Sequence, residues 1–193
     1  MKTRLARPAD VAGICRLIRL YADEGLLLPR TEEQVRKNLG HFLVLTGSHT
    51  NDSSMSDAPV EGLPVESPVA PERLLGCVAL EPYGPDLSEI RSLAVDPDAQ
   101  NLGLGGLLVE AALHTAKRRK IARVFAVTHA APFFERHGFV AGSRHDLPEK
   151  IARDCNGCPK ARKCKLVALV AVVCPELVSL PVLAPAGGPF VRL

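Results

Sequence analysis

The chain has 193 residues, 47% of them apolar and 23% charged, with a formal net charge of +3. That is ordinary globular composition, and the length suits one domain with a proper core. Its basic residues are interleaved with acids, which argues against a nucleic-acid groove, and the longest apolar run, Leu166 to Cys174, is too short to span a bilayer. The basic run Lys117 to Lys120 falls in the last turn of a predicted helix, where the dipole favours cations. Met1-Lys-Thr-Arg4 is followed by mixed polar residues, not the apolar core of a signal peptide. The expectation is a soluble cytoplasmic protein, with no nucleic-acid or membrane partner. Its six cysteines should then be mostly reduced or metal-bound.

Taken in order, Arg4 to Ala6 reads as a short strand. Val11, Ile14, Leu17, Ile18 and Tyr21 then recur at helical spacing, and Gly25 ends that helix. Leu26-Leu-Leu-Pro-Arg30 is an apolar loop delivering one arginine. Thr31 with Gln34 three residues on is a capping box that starts a second helix. Strands are expected at Phe42 to Leu45 and Leu74 to Leu80. Between them, residues 46–72 are rich in Ser, Pro, Asp and Glu and hold no aromatic residue. Such a segment buries too little apolar surface to offset its ordering entropy, and it reads as a disordered extension of a hairpin loop.

Glu89 to Val95 is a strand, Leu104 to Lys120 a helix, and Arg123 to Thr128 a further strand. A helix carries Phe133-Phe-Glu-Arg-His137 and closes at Gly138. Phe139 and Val140 begin another strand. Residues 146–164 are polar and cysteine-bearing, and Lys165 to Val173 is a buried strand stopped by Pro175. The resulting division is one domain over 1–174 and an apolar, proline-rich tail over 175–193. The tail would pack on the body or on a second subunit, making a homodimer.

Leu93 to Leu108 organises the chain. It begins as an apolar strand end, breaks at Pro97, runs through glycines and continues as an amphipathic helix. Glycines at 103, 105 and 106 let a backbone approach a ligand, and the helix points its positive end at the same place. This is an anion cradle suited to a pyrophosphate. A Rossmann loop would need Gly-x-Gly-x-x-Gly and a later acid, and neither is present. The remaining alternative is a strand-to-helix turn without a ligand.

Val95, Pro97, Gln100, Gly103 and Gly105 fill every position of the acetyl-CoA motif of the GNAT N-acetyltransferases, which this stretch resembles. The resemblance implies an α/β (α+β) GNAT fold, a mixed central sheet flanked by helices. It narrows further. Ala22 to Val35, Gly76 to Tyr83, Arg123 to Thr128 with Phe134 to Phe139, and Asp146-Leu-Pro-Glu149 are similar, in this order, to motifs of the acetyltransferase domain of N-acetylglutamate synthases. Two departures stand out: the amino-acid-kinase domain of the long enzymes is absent, and the 46–72 insert replaces a tight turn.

The resemblance implies acetyl-CoA as co-substrate, held by Leu93, Val95, Gln100, Leu102, Gly103, Leu104, Gly105 and Gly106. It implies L-glutamate or a related amine as acceptor. Glu89 is the candidate base, set against a merely solvated strand-end glutamate. Relatives often place a tyrosine acid where Phe134 stands; a thiol leaving group can be reprotonated by solvent instead. Arg30 is the first choice for the acceptor carboxylate, because guanidinium binds carboxylate bidentately. Arg162 and Cys164 correspond to the family's second arginine and its serine. An exposed arginine without a specific role is the alternative for both Arg30 and Arg162.

Cys155, Cys158 and Cys164 have zinc or iron–sulfur spacing, with Cys174 or His145 as a fourth ligand. The resemblance implies no metal, and a regulatory thiol pair or plain reduced cysteines are the alternatives. Cys15 and Cys77 read as core, and His129 and His137 as structural. Two rival functions remain open. One is a GNAT enzyme for another small amine or a protein N-terminus. The other is an acetyl-CoA-binding sensor with a metal or redox site at the cysteines.

Overall fold

The computed structural model describes residues 1–47, 72–158 and 164–178. Within them a seven-stranded sheet runs in the order β1-β2-β3-β4-β5-β7-β6. The strands are β1 (Lys2–Leu5), β2 (Phe42–Gly47), β3 (Arg73–Pro82), β4 (Leu87–Val95), β5 (Arg123–Thr128), β6 (Val140–Gly142) and β7 (Val167–Val172). All neighbours are antiparallel except β4 and β5. The expected mixed sheet flanked by helices is what the chain forms.

Helix α1 (Val11–Asp23) buries Val11, Ile14, Cys15, Leu17 and Ile18, one stripe at helical spacing. Its start is held by Asp10, which takes both Arg4 amino groups, at 2.7 and 3.0 Å, and the Arg7 N–H. Helix α2 (Glu32–Lys37) opens on the expected capping box: the Gln34 N–H donates to Thr31 Oγ1 at 3.2 Å, and the Thr31 N–H to Gln34 Oε1 at 3.0 Å. Thr31→Ala is expected to cost about 1 kcal/mol. In thermal unfolding it should lower Tm by roughly 2–4 °C.

Both helices pack on one sheet face, against Phe42, Val44, Cys77 and Ala79. The alternate residues Leu43, Leu45, Val78 and Leu80 face the other way, against α3 (Leu104–Arg118) and Phe134 of α4 (Ala131–Glu135). Period-two alternation along β2 and β3 thus serves two cores at once.

Apart from shifts of one or two residues at the ends of α3, α4 and β6, three differences between the sequence reading and the structure stand out. Strand β1 starts two residues earlier than expected and ends at Leu5, so Ala6 is outside it, its N–H bonded to the Phe42 carbonyl at 2.9 Å. The predicted insert begins too early, since Thr46 and Gly47 still pair with Leu74 and Arg73. Glu72 at its far end meets Arg4 at 3.4 Å. The rest of the insert, 48–71, lies outside the described residues.

The polar 146–164 stretch holds an unforeseen helix. This is α5 (Pro148–Lys150), which continues as a π-helical turn over Ile151–Cys155. Proline at its first position suits a helix start. Leu147, fully buried with Leu87, Phe125 and Ala168, anchors it to the sheet.

Candidate active site

Strands β4 and β5 pair only from Leu87–Arg123 to Glu89–Phe125. Beyond Glu89 they part, so the β5-facing N–H groups of β4 have no strand partner. On its other edge β4 carries a bulge: Cys77 pairs with Ala94 but Ala79 with Arg91, so Ser92 and Leu93 together oppose Val78. Ser92 sits at φ 51, in the left-handed region that side chains rarely occupy. Beyond the bulge, Leu93 and Val95 pack against the α3 side of the core.

At the end of β4 the chain turns through Asp96, which is 2% exposed. It accepts from Arg16 at 2.9 Å, Arg73 at 2.8 Å and the Asp98 N–H at 3.2 Å. Gln100 lies against α1: its amide donates to the Tyr21 hydroxyl at 2.7 Å, and that hydroxyl donates to the Val95 carbonyl. Tyr21 therefore ties the loop to the strand, a role its place in the α1 stripe did not announce.

Gly103 begins α3 at φ 72, and a Cβ there would meet nothing within 4 Å. No side chain caps this helix start, and the first backbone bond back to Gly103 comes from Leu107 at 3.3 Å. The N–H groups of Leu104, Gly105 and Gly106 are thus free of backbone partners at the positive end of the helix. That arrangement fits a pyrophosphate.

The other two glycines face Phe133 and His137. A Cβ on Gly106 would come within 2.8 Å of His137 Cε1, and one on Gly105 would touch Phe133 at 3.4 Å. Gly106 therefore also makes room for His137, just beyond α4, a second demand on glycine that the sequence reading did not include. His137 packs on Phe133 with centroids 5.0 Å apart. Phe134 is core, edge-on to Phe133 and Phe139.

On the α1–α2 face, at the apex of the wedge, sits a cluster of charges. Glu81 and Glu89 are directly opposite each other across β3 and β4, and both are buried. Two like charges in that register are destabilising unless compensated. Lys150 from α5 donates to both Glu89 oxygens, at 2.8 and 2.9 Å, and to Asp154 at 2.6 Å. Arg91 lies 3.5 Å from Glu89, 3.7 Å from Glu81 and 3.3 Å from Asp154. Arg30 reaches Glu81 at 2.9 Å, and Arg153 also bonds to Glu81. Tyr83 donates to Asp154 at 2.5 Å and accepts from Arg91 at 3.1 Å. Among the described residues, four cations surround three carboxylates, leaving one positive charge in excess.

Burial alone would push the Glu81 carboxyl up, but the charges of Arg91, Arg30 and Arg153 outweigh it and hold it below its ordinary range. Asp154 is likewise held low against burial by Lys150 and Tyr83, and Asp96 by Arg16, the Asp98 N–H and Arg73. Burial first, and then the Glu89 charge, raises the Tyr83 phenol. Carboxyls with depressed folded-state pKa values stabilise the protein above the unfolded value, and this contribution is lost as pH falls through the folded one. Tm is expected to stay level from neutral pH down to about 5 and to drop below about 4. A Tm that holds flat to pH ~3 would show that these pairs contribute nothing.

The structure brings Glu89 and Arg30 into one cluster, and Glu89 is buried and clasped rather than solvated. Lys150, Arg153, Asp154, Arg91, Glu81 and Tyr83 were missed. The available signal was Lys150 and Asp154 four residues apart just after a helix-starting proline.

Arg162 lies in 159–163, outside the described residues, as does the tail from 179. Cys164 is half-buried. Cys174 is 3% exposed, its N–H bonded to the Ala122 carbonyl at 3.2 Å. Among the described residues no three His, Cys, Asp or Glu converge as metal ligands. Also among the described residues, no helix is long and apolar enough to cross a membrane.

The description of the acetyltransferase (GNAT) family matches residues 48–139. An uncharacterized N-acetyltransferase of Chlorobaculum tepidum is 34% identical over 167 residues, covering 86% of this chain and 93% of the relative. The amino-acid acetyltransferase of Mycobacterium tuberculosis is 34% identical over 136 residues, 70% of this chain and 66% of that one. The N-acetylglutamate synthase of Neisseria gonorrhoeae, solved with coenzyme A and N-acetyl-glutamate, has a TM-score of 0.70 at 27% identity. That match covers 89% of this chain but 35% of the synthase, so the chain spans about a third of its length.

Fold and wedge together define an N-acyltransferase. The chain belongs to the GNAT acetyltransferase family.

Proposed function

We propose that the protein transfers acetyl from acetyl-CoA to the α-amine of an amino acid, L-glutamate before others, the entry step of arginine synthesis. The observation that carries the acceptor class is the excess positive charge in the cluster around Glu81 and Glu89. A monoamino dicarboxylate, with one net negative charge, neutralises it. The uncapped start of α3 supports the choice of donor, and so do the names of the amino-acid acetyltransferase relatives.

Acetyl-CoA supplies the thioester. In this reading the free N–H groups at Leu104 to Gly106 hold its pyrophosphate, and the bulged strand from Leu93 to Val95 offers N–H groups to the acetyl oxygen. Glu89, at the point where β4 and β5 part, takes the amine proton, with Lys150 and Arg91 fixing its carboxylate. Arg30, with Arg162 and Cys164 as further candidates, engages an acceptor carboxylate. Free thiols at all six cysteines accord with a reducing cytoplasm.

The test is thiol release from acetyl-CoA across the common amino acids and several amines. Turnover restricted to glutamate supports the full reading. Turnover only on amines without a carboxylate overturns the acceptor class and leaves the donor site standing. Arg30→Ala is expected to raise the acceptor KM about 10- to 100-fold, the worth of a charge-assisted hydrogen bond. Acetyl-CoA affinity should not change, and Glu81 keeps Arg91 and Arg153. An unaltered acceptor KM removes Arg30 from the site.

A further inference from the structure

The turn after α5 has Cys155 and Cys158 at its two ends. The Cys158 N–H donates to the Cys155 carbonyl at 3.1 Å. Asn156 at φ −63 and ψ 118, followed by Gly157 at φ 81, makes this a type II β-turn, whose third position calls for glycine. The ends of such a turn lie within about 7 Å at Cα, overlapping the ~4.4–6.8 Å that a disulfide spans. Both thiols are free and half-buried, whereas Cys15, Cys77 and Cys174 are buried. Burial pushes the Cys77 thiol up to about 12, so it is inert by comparison.

Two further features give the pair a context. Lys160, Arg162, Lys163 and Lys165 follow it in sequence, with no acid between Asn156 and Leu166. An anionic reagent is therefore favoured over a neutral or cationic one. Immediately upstream, the same π-helical turn carries Arg153 and Asp154, and α5 carries Lys150, so it holds the clasp on Glu81 and Glu89. Cys155 is the next residue after Asp154.

We propose that Cys155 and Cys158 are a redox-active dithiol that an anionic small-molecule disulfide of the glutathione type closes into a bridge. Closure re-sets the turn and loosens the Lys150–Asp154 hold on Glu89. In the first step one cysteine thiolate attacks glutathione disulfide, forming a mixed disulfide and releasing one glutathione thiolate. The second cysteine thiolate then attacks the protein sulfur of that mixed disulfide and expels the other glutathione. Two electrons and two protons pass from the protein dithiol to one glutathione disulfide, giving two glutathione thiols. The bridge stands on the turn geometry alone; its effect on turnover rests on Glu89 acting in acetyl transfer.

The experiment equilibrates the full chain with graded ratios of reduced to oxidised glutathione, followed by alkylation, peptide mapping and assay of acetyl transfer. The expected result is a Cys155–Cys158 peptide lighter by two hydrogens that dithiothreitol restores. Turnover should fall about tenfold in the bridged form, since misplacing a reacting group by an ångström costs up to ~10²-fold. A Cys155→Ser/Cys158→Ser double variant should turn over at the reduced wild-type rate whatever the ratio.

Thiols that stay open at every ratio, a bridge to Cys164 instead, or a zinc ion that protects the pair and is lost in the double variant each overturn the proposal. A bridge that leaves turnover unaltered overturns the coupling to Glu89. If no amine is acetylated under any condition, the acetyl-transfer reading fails while the peptide map still decides the bridge.

Discussion

Glu89→Gln is expected to lower kcat by roughly 10²- to 10⁴-fold, the span that a positioned proton acceptor contributes. The amide keeps the shape of the side chain but cannot take the amine proton. Fold and donor site should survive. Lys150 keeps Asp154 at 2.6 Å, and the substitution removes one of two like charges facing each other across β3 and β4. The acetyl-CoA Kd should be unaltered, because the cradle begins at Gly103, on the far side of the β4 bulge. Steady-state kinetics beside acetyl-CoA titration and a melting curve separate these effects. A kcat within about threefold of wild type would mean that Glu89 only balances charge and that the amine loses its proton elsewhere.

Gly103→Val is expected to abolish measurable acetyl-CoA binding, by two routes that act together. At φ 72 a residue with a Cβ pays about 1–2 kcal/mol, and a β-branched one more, so the first turn of α3 is driven out of its present path. The added side chain also enters space that is open to 4 Å at the uncapped start of α3, where a pyrophosphate would sit. Gly105→Ala is the matched control. Its Cβ would sit 3.4 Å from Phe133, an ordinary contact, so binding should persist within about threefold. Titration of acetyl-CoA by calorimetry reads both. Wild-type affinity in Gly103→Val would mean that the start of α3 is not where the pyrophosphate sits.

The two sites were not equally legible in the sequence. The cradle is contiguous: Val95, Pro97, Gln100, Gly103 and Gly105 lie within eleven residues, and their spacing carries strand, turn and helix start together. Local signals elsewhere worked for the same reason. Thr31 and Gln34 bond to each other across one helical turn, and Gly25 and Gly138 both take the positive φ that ends a helix. The charge cluster is assembled from the α1–α2 loop, two strands and α5, so no window of sequence contains it. Arg30 and Glu89 could be singled out one by one; that Glu81 faces Glu89, and that Lys150 clasps Glu89, could not.

Periodicity and caps were enough, by themselves, to place the main helices and strands and the glycine-bearing strand-to-helix turn before α3, because hydrophobic spacing and caps act between residues a turn apart; the mixed sheet came from the resemblance to the GNAT family. Only the tertiary structure decided the division of labour among the glycines. Gly103 serves the backbone conformation and leaves open space beside it, Gly106 also makes room for His137, and Gly105 meets Phe133 only at ordinary contact distance. It also decided the state of Glu89, which a strand-end position leaves open between solvated and buried. Leu147 docks α5 on the sheet, and that contact brings Lys150 over Glu89 from 61 residues away. Burial and charge balance depend on such distant neighbours, and their cost or benefit is settled only when the sheet has closed around them.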